Sequence, residues 1–213
     1  MIGTFIVVDG PDGAGKSTLI KGVVAALVAD GHPVLATREP GGAPFAEAIR
    51  ELILHEDSAK ADPLTMLYLF NAARQEHLVQ TVRPALGRGD VVICDRFDSS
   101  TYAYQVIGEE RPDLGSLFGL LRTQYQATLP YYLMLDVSPE VGRTRMTDRA
   151  KQNHFDERDA VFHERVRGGF KDFLASFCKP DNFSIINAES SPEEVLVATL
   201  EVVRTVVGQS KLH

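Results

Sequence analysis

The run Gly10-Pro11-Asp12-Gly13-Ala14-Gly15-Lys16-Ser17 has the spacing G-x-x-x-x-G-K-[ST], with Thr18 directly after it. Glycines at these places let the backbone wrap until successive N–H groups point at phosphate oxygens, and a following helix adds the positive end of its dipole. In such a loop the Lys16 ammonium bridges β and γ phosphates while the Ser17 hydroxyl ligates Mg2+. Its context is the one the pattern needs. The apolar run Thr4-Phe5-Ile6-Val7-Val8 precedes it, and helix formers continue from Ser17 to about Ala29, where Gly31 and Pro33 punctuate the end. An ATP or GTP site is therefore expected. Neither a guanine-reading Asn-Lys-x-Asp string nor a Leu-Ser-Gly-Gly-Gln signature occurs, so a kinase of a small molecule gains weight.

A second concentration of chemistry lies in Val91-Val92-Ile93-Cys94-Asp95-Arg96, which places a carboxylate and a guanidinium at the carboxyl end of an apolar run. That is the edge at which open α/β sheets bind ligands. Asp95 could hold Mg2+ directly or through water, and Arg96 could clamp a phosphate bidentately; taken alone, the pair could equally be a surface ion pair. Further along, Arg143, Arg145, Arg149 and Lys151 bring positive charge to a polar stretch spanning 147–157. Phosphoryl transfer needs alignment, neutralised oxygens and exclusion of water more than a strong base, and a phosphate monoester is already a nucleophile at neutral pH. No catalytic base is assigned.

These residues need a scaffold. Five short apolar runs, near 4–8, 33–37, 90–94, 131–136 and 183–187, alternate with segments of helical pattern at 44–54, 63–86, 99–107, 113–127, 139–148, 158–177 and 191–207. The alternation predicts an α/β fold, a five-stranded parallel sheet with helices on both faces. The first helix is predicted to bury Leu19, Val23, Ala26 and Leu27. At 213 residues one domain is expected, 1–213. The formal net charge of -7 argues against a sequence-independent grip on nucleic acid. No apolar stretch reaches the length of a membrane span, and with only Cys94 and Cys178 there is no disulfide framework. A cytoplasmic enzyme without a leader is expected.

Several strings carry a family resemblance: Asp9-Gly10 running into the phosphate loop, Thr37-Arg38-Glu39-Pro40-Gly41-Gly42, Phe70-Asn71-Ala72-Ala73-Arg74, Asp95-Arg96-Phe97, and Ser100-Thr101-Tyr102-Ala103-Tyr104-Gln105. In order and spacing the chain resembles the bacterial-type thymidylate kinases over nearly its whole length. The resemblance implies a P-loop nucleoside monophosphate kinase fold, the substrates ATP and dTMP, products ADP and dTDP, Mg2+, and a homodimer. It implies that Phe70 stacks on thymine, that Arg74 donates to a thymine carbonyl and that Thr101 or Gln105 takes the ring N–H, with Ser100 in the same substrate-facing string. Arg50 and Arg96 match arginines that hold the acceptor phosphate, Glu39 an acid that organises that pocket and its metal, Asp9 a carboxylate near sugar and transferring phosphates, and Tyr104 a ring that crowds the 2′ position. Arg50 could equally be a solvated helix charge, and Asp9 a cap on the loop. A lid at about 143–157 would supply the transition-state arginine, Arg149 or, one turn earlier, Arg145. Two departures stand out: Gly41-Gly42-Ala43 where the family often has Gly-Gly-Thr, and Asn153-His154-Phe155-Asp156 where it usually has an arginine at the second place. The rival readings are a broader deoxynucleoside monophosphate kinase, a deoxynucleoside kinase, and a P-loop interaction protein that binds ATP without transferring phosphate.

Overall fold

Side chains of the first strand point alternately to opposite faces, and both sets are apolar. Phe5 and Val7 enter one core while Ile6 and Val8 enter another. That is the pattern of a central strand in a sheet covered on both sides. The computed structural model describes residues 3–147, 155 and 158–210. Its strands are β1 (Thr4–Asp9), β2 (Val34–Arg38), β3 (Val91–Asp95), β4 (Tyr131–Asp136) and β5 (Phe183–Asn187), all parallel, in the order β2-β3-β1-β4-β5.

One face carries α1 (Lys16–Ala29) and α9 (Pro192–Ser210), packed through Leu19, Val23, Leu27, Val203 and Val207. Ala26, expected in that stripe, is half-buried, and Ile20 is buried instead. The other face carries α4 (Arg83–Arg88), α5 (Asp98–Thr101), α6 (Gly115–Arg122) and α8 (Ala160–Phe177), around a core rich in aromatics such as Phe97, Phe118, Phe170 and Phe173. A third, smaller core joins α2 (Pro44–Leu54) to α3 (Pro63–His77) through Ala46, Ile49, Ile53, Met66 and Ala73. The chain then enters α7 (Pro139–Thr147) directly after β4.

The strands fall within a residue of the expected runs. Three expected helices are interrupted, the segment 113–127 becoming a short 3-10 turn, α6 and a second 3-10 stretch over Thr123–Thr128 in which Tyr125 leaves helical geometry. The segment 63–86 becomes α3, a π-helical turn over Leu78–Val82 and α4, with Pro84 in the first turn of α4 where its missing N–H does no harm. The segment 99–107 becomes α5 followed by a π-helical turn over Tyr102–Gly108. Such widened turns gather at functional sites. Register places Val8, Arg38 and Asp95 side by side, so Asp9, Arg38, Asp95 and Arg96 meet at the carboxyl edge of the sheet.

Candidate active site

The loop from β1 to α1 is built on left-handed backbone. Gly13 and Gly15 have φ of 77° and 86°, and a Cβ on Gly13 would lie 2.2 Å from the Gly142 carbonyl oxygen of α7. Only glycine lets the loop turn here and lets α7 approach its backbone. The Lys16 ammonium folds back onto the loop, donating to the Gly10 and Pro11 carbonyls at 2.8 Å each. Burial, and then the neighbouring Arg96, pull its pKa down to about 8, against the opposing attraction of Asp12, Asp95 and Asp9.

Asp9, expected beside the sugar, is placed differently. Its fully buried carboxylate accepts from the Gly10, Phe97 and Ser100 amides and from the Ser99 and Ser100 hydroxyls, at 2.6–3.3 Å. It ties the start of the phosphate loop to the start of α5 and does not line the cavity. The carboxylate that does is Asp12, which accepts from the Tyr104 hydroxyl at 2.5 Å and pairs with Arg96. Burial pushes Asp12 up, but Arg96, Lys16 and the Tyr104 hydroxyl together hold it below the usual carboxylate value. Arg96 itself has φ 67°, an uncommon conformation for a non-glycine residue and one that gathers at functional sites. Its guanidinium also reaches the Ser100 hydroxyl at 2.9 Å and the Gly10 carbonyl at 3.3 Å, and lies 5.5 Å from the centre of the Tyr104 ring. Burial works against that charge, but Tyr104, Asp12, Asp9 and Asp95 more than restore it, so its pKa is raised.

The Ser17 hydroxyl donates to Asp95 Oδ2 at 3.5 Å, and among the described residues Asp95 Oδ1 is buried without a partner. A hydroxyl and a carboxylate with one spare oxygen fit a hard divalent cation that keeps most of its water and leans on substrate phosphates. Among the described residues no group of three or more His, Cys, Asp and Glu forms a cage of its own. Glu39, expected to share in that metal site, has both oxygens engaged elsewhere, by Arg74 Nε at 2.8 Å and His77 Nδ1 at 3.0 Å.

All of this surrounds one cavity of about 1180 Å3. A pocket for one small ligand runs to roughly 300–1,000 Å3, so the cavity is larger than one small ligand needs. At one end lie Gly13 to Thr18 of the loop, Arg143, Arg145 and the chain from Ala188 to Leu196; at the other lie Arg38, Arg50, Phe70, Ser100, Tyr104 and Gln105. Arg50, half-buried, donates to the Pro40 carbonyl at 2.8 Å. Arg74 is 1% exposed and lies behind the wall, its guanidinium carbon 4.9 and 5.8 Å from the centres of the Phe97 and Tyr125 rings, which meet each other edge-on, and its Nη2 on Thr101 Oγ1 at 2.8 Å. Glu39, Tyr125 and Asp98 raise its pKa despite burial. Among the described residues, Arg74 Nη1 and Gln105 Oε1 are buried with no hydrogen-bonding partner.

Arg145, one of the two candidates for the transition-state arginine, is turned toward the loop after β5, donating to the Ala188 carbonyl at 2.7 Å and, more weakly, to that of Glu189 at 3.4 Å. Arg149, Lys151 and the departures at Asn153, His154 and Asp156 lie outside the described residues. Phe155 lines the cavity and meets the Tyr104 ring edge-on at 5.9 Å. Arg38, His77 and Phe155 were not singled out from sequence. Arg38 stood in the Thr-Arg-Glu-Pro-Gly-Gly string, and His77 shares a helical face with Arg74, three residues on.

The family model described as thymidylate kinase matches residues 8–198. A thymidylate kinase of Caulobacter vibrioides is 41% identical over 203 residues, 94% of this chain and 96% of that protein. Those of Bacillus licheniformis and an Exiguobacterium species are 37% identical over 216 residues, covering 100% of both chains, and 38% over 206 residues, covering 94% and 96%. With a match of that length and relatives of that similarity, the chain belongs to the thymidylate kinase family.

Proposed function

We propose that this protein transfers the γ-phosphoryl group of ATP to dTMP, giving ADP and dTDP, as a single catalytic domain. Family membership supports the class of reaction. The observations that carry the choice of base are two unmatched buried atoms, a donor at Arg74 Nη1 and an acceptor at Gln105 Oε1, and a half-buried ring, Phe70, that lines the same cavity as Gln105. Thymine offers a carbonyl and a ring N–H to such a pair and a flat face to the ring. Cytosine would set an amino group against the guanidinium and a bare nitrogen against the acceptor, at about 1–3 kcal/mol for each buried mismatch.

Arg38, Arg50 and Arg96 hold the acceptor phosphate at the cavity wall, while the loop amides and Lys16 hold the donor. The acceptor needs no base, so their task is alignment and neutralisation. Mg2+, which Ser17 and Asp95 would hold, supplies charge neutralisation on the donor phosphates when bound. Asp12 and Tyr104 form the sugar-side wall. Arg149 remains the candidate lid arginine. We read the protein as a cytoplasmic homodimer, the dimer supported by Phe45 and Leu52, seven apart on α2, which are exposed with Tyr68 of the adjoining α3. Light scattering checks the dimer.

Steady-state kcat/KM with ATP for dTMP, dUMP, dCMP, dGMP and thymidine tests the reading. Expected are strong preference for dTMP over dCMP and purines, and partial use of dUMP, which lacks only the methyl contact, about 1 kcal/mol. Comparable values for dTMP and dCMP would remove the thymine assignment; use of the nucleoside would replace the monophosphate acceptor with a nucleoside, and no substrate-dependent ADP would remove the kinase reading.

A further inference from the structure

A buried polar chain runs behind the base-side wall, and its last histidine has no part in the reading above. His77 is fully buried on α3. Its Nδ1 lies 3.0 Å from Glu39 Oε1 and its Nε2 2.8 Å from Thr37 Oγ1. An ionised carboxylate only accepts, so Nδ1 carries a proton, leaving Nε2 to the Thr37 hydroxyl. Glu39 Oε2 then takes Arg74 Nε, and Thr101 Oγ1 takes Arg74 Nη2, both at 2.8 Å. A Cβ on Gly42 would lie 2.5 Å from both His77 Cδ2 and Thr37 Oγ1, so the loop backbone packs directly on the imidazole edge.

We propose that His77 is a positioning residue for base selection: by holding Glu39 Oε1, it fixes the direction in which Arg74 presents Nη1. The inference rests on the reading of Arg74 as the donor to the base. Without the Nδ1 proton, Oε1 is a buried acceptor with no donor. The guanidinium is the neighbouring source of N–H groups, and a carboxylate with two free oxygens takes an arginine in a two-pronged grip. That grip competes with Thr101 for Nη2 and turns Nη1 from its present direction. Phe97 and Tyr125 lie beside the guanidinium and offer it no hydrogen-bond acceptor from their ring faces, so its direction is set by Glu39 and Thr101.

Three substitutions separate this role from simple packing. In His77→Asn the amide nitrogen stands near the place of Nδ1 and keeps the bond to Glu39; in His77→Gln it stands near Nε2 and keeps only the contact to Thr37; His77→Leu keeps neither. The expected result is a dTMP KM and a dTMP-over-dCMP ratio near wild type for His77→Asn. For His77→Gln and His77→Leu, the dTMP KM should rise about ten-fold and the ratio should fall by a similar factor, the effect of one misdirected buried hydrogen bond. KM for ATP and kcat at saturating dTMP should hold in all three. Wild-type KM and ratio in His77→Gln and His77→Leu would overturn the proposal, as would equal losses in all three variants with ATP parameters falling alongside. If His77→Leu does not fold, the contrast between His77→Asn and His77→Gln decides. Arg74→Gln run in parallel separates two failures: unchanged base choice there removes the base-donor reading itself, whereas changed base choice with silent His77 variants removes only the role of His77.

Discussion

Replacing Lys16 with methionine is expected to abolish transfer while making the ligand-free protein no less stable at neutral pH. Lys16 is 8% exposed, and burial, then Arg96, bring its pKa from 10.5 to about 8. Below pH 8 the side chain is charged in both folded and unfolded chains, and the folded state bears the penalty. Between pH 8 and 10.5 the unfolded chain binds more protons than the folded one, so stability from this residue rises with pH. At about 1.4 kcal/mol per pKa unit the penalty is about 3 kcal/mol at pH 7. Methionine keeps most of the apolar stem but gives up the bonds to the Gly10 and Pro11 carbonyls, about 1 kcal/mol each. The variant should thus be favoured by about 1 kcal/mol at pH 7 and lose that advantage, and about 1 kcal/mol more, by pH 10. Urea unfolding of both proteins at pH 7 and pH 10 measures this, and other titrating groups cancel in the difference. A difference that does not change with pH refutes the account of the buried ammonium; near-normal turnover in the folded variant refutes the phosphate-loop assignment.

Ala43 stands at the N-cap of α2 with extended backbone and no side-chain cap, so Ala43→Thr should stabilise by about 1 kcal/mol and raise Tm by about 2–4 °C in thermal unfolding; no gain would mean the hydroxyl cannot reach the first-turn amides. Arg145→Ala should raise the KM for ATP about five-fold with kcat little changed, because the side chain secures the loop after β5, and a large drop in kcat would return Arg145 to the transferring group.

The phosphate loop was legible because its chemistry is local: eight consecutive residues and the elements on either side contain the whole signal. The strands were legible for a related reason, since buried parallel strands are continuous apolar runs. Asp9 and Asp12 were not separable in this way. Both are carboxylates at the mouth of the loop, and which of them faces the cavity is decided by the backbone turn between, where Gly10 has φ 142°, and by donors from Phe97 to Ser100 far along the chain. The partners that Arg145 takes in the structure were not legible, because they are carbonyls more than forty residues away and main-chain acceptors leave no trace in side-chain patterns. The break in 63–86 had a local signal in Pro84, outweighed by the apolar periodicity around it. Glu39 was read from its motif as metal-facing, whereas a buried arginine and histidine on α3 compete for it more closely.

The bonds between Asp9, Arg96 and the start of α5 have a metrological consequence. Two parts located independently accumulate their separate errors; two parts located from one datum do not. The phosphate loop, to which the proposed function gives the donor, and residues 96–100, to which it gives the acceptor, are both referred to the same carboxylate and the same guanidinium. Fluctuations of that edge of the sheet therefore become common-mode: they carry both phosphates together and largely cancel in the distance between them. In-line transfer is sensitive to that difference alone.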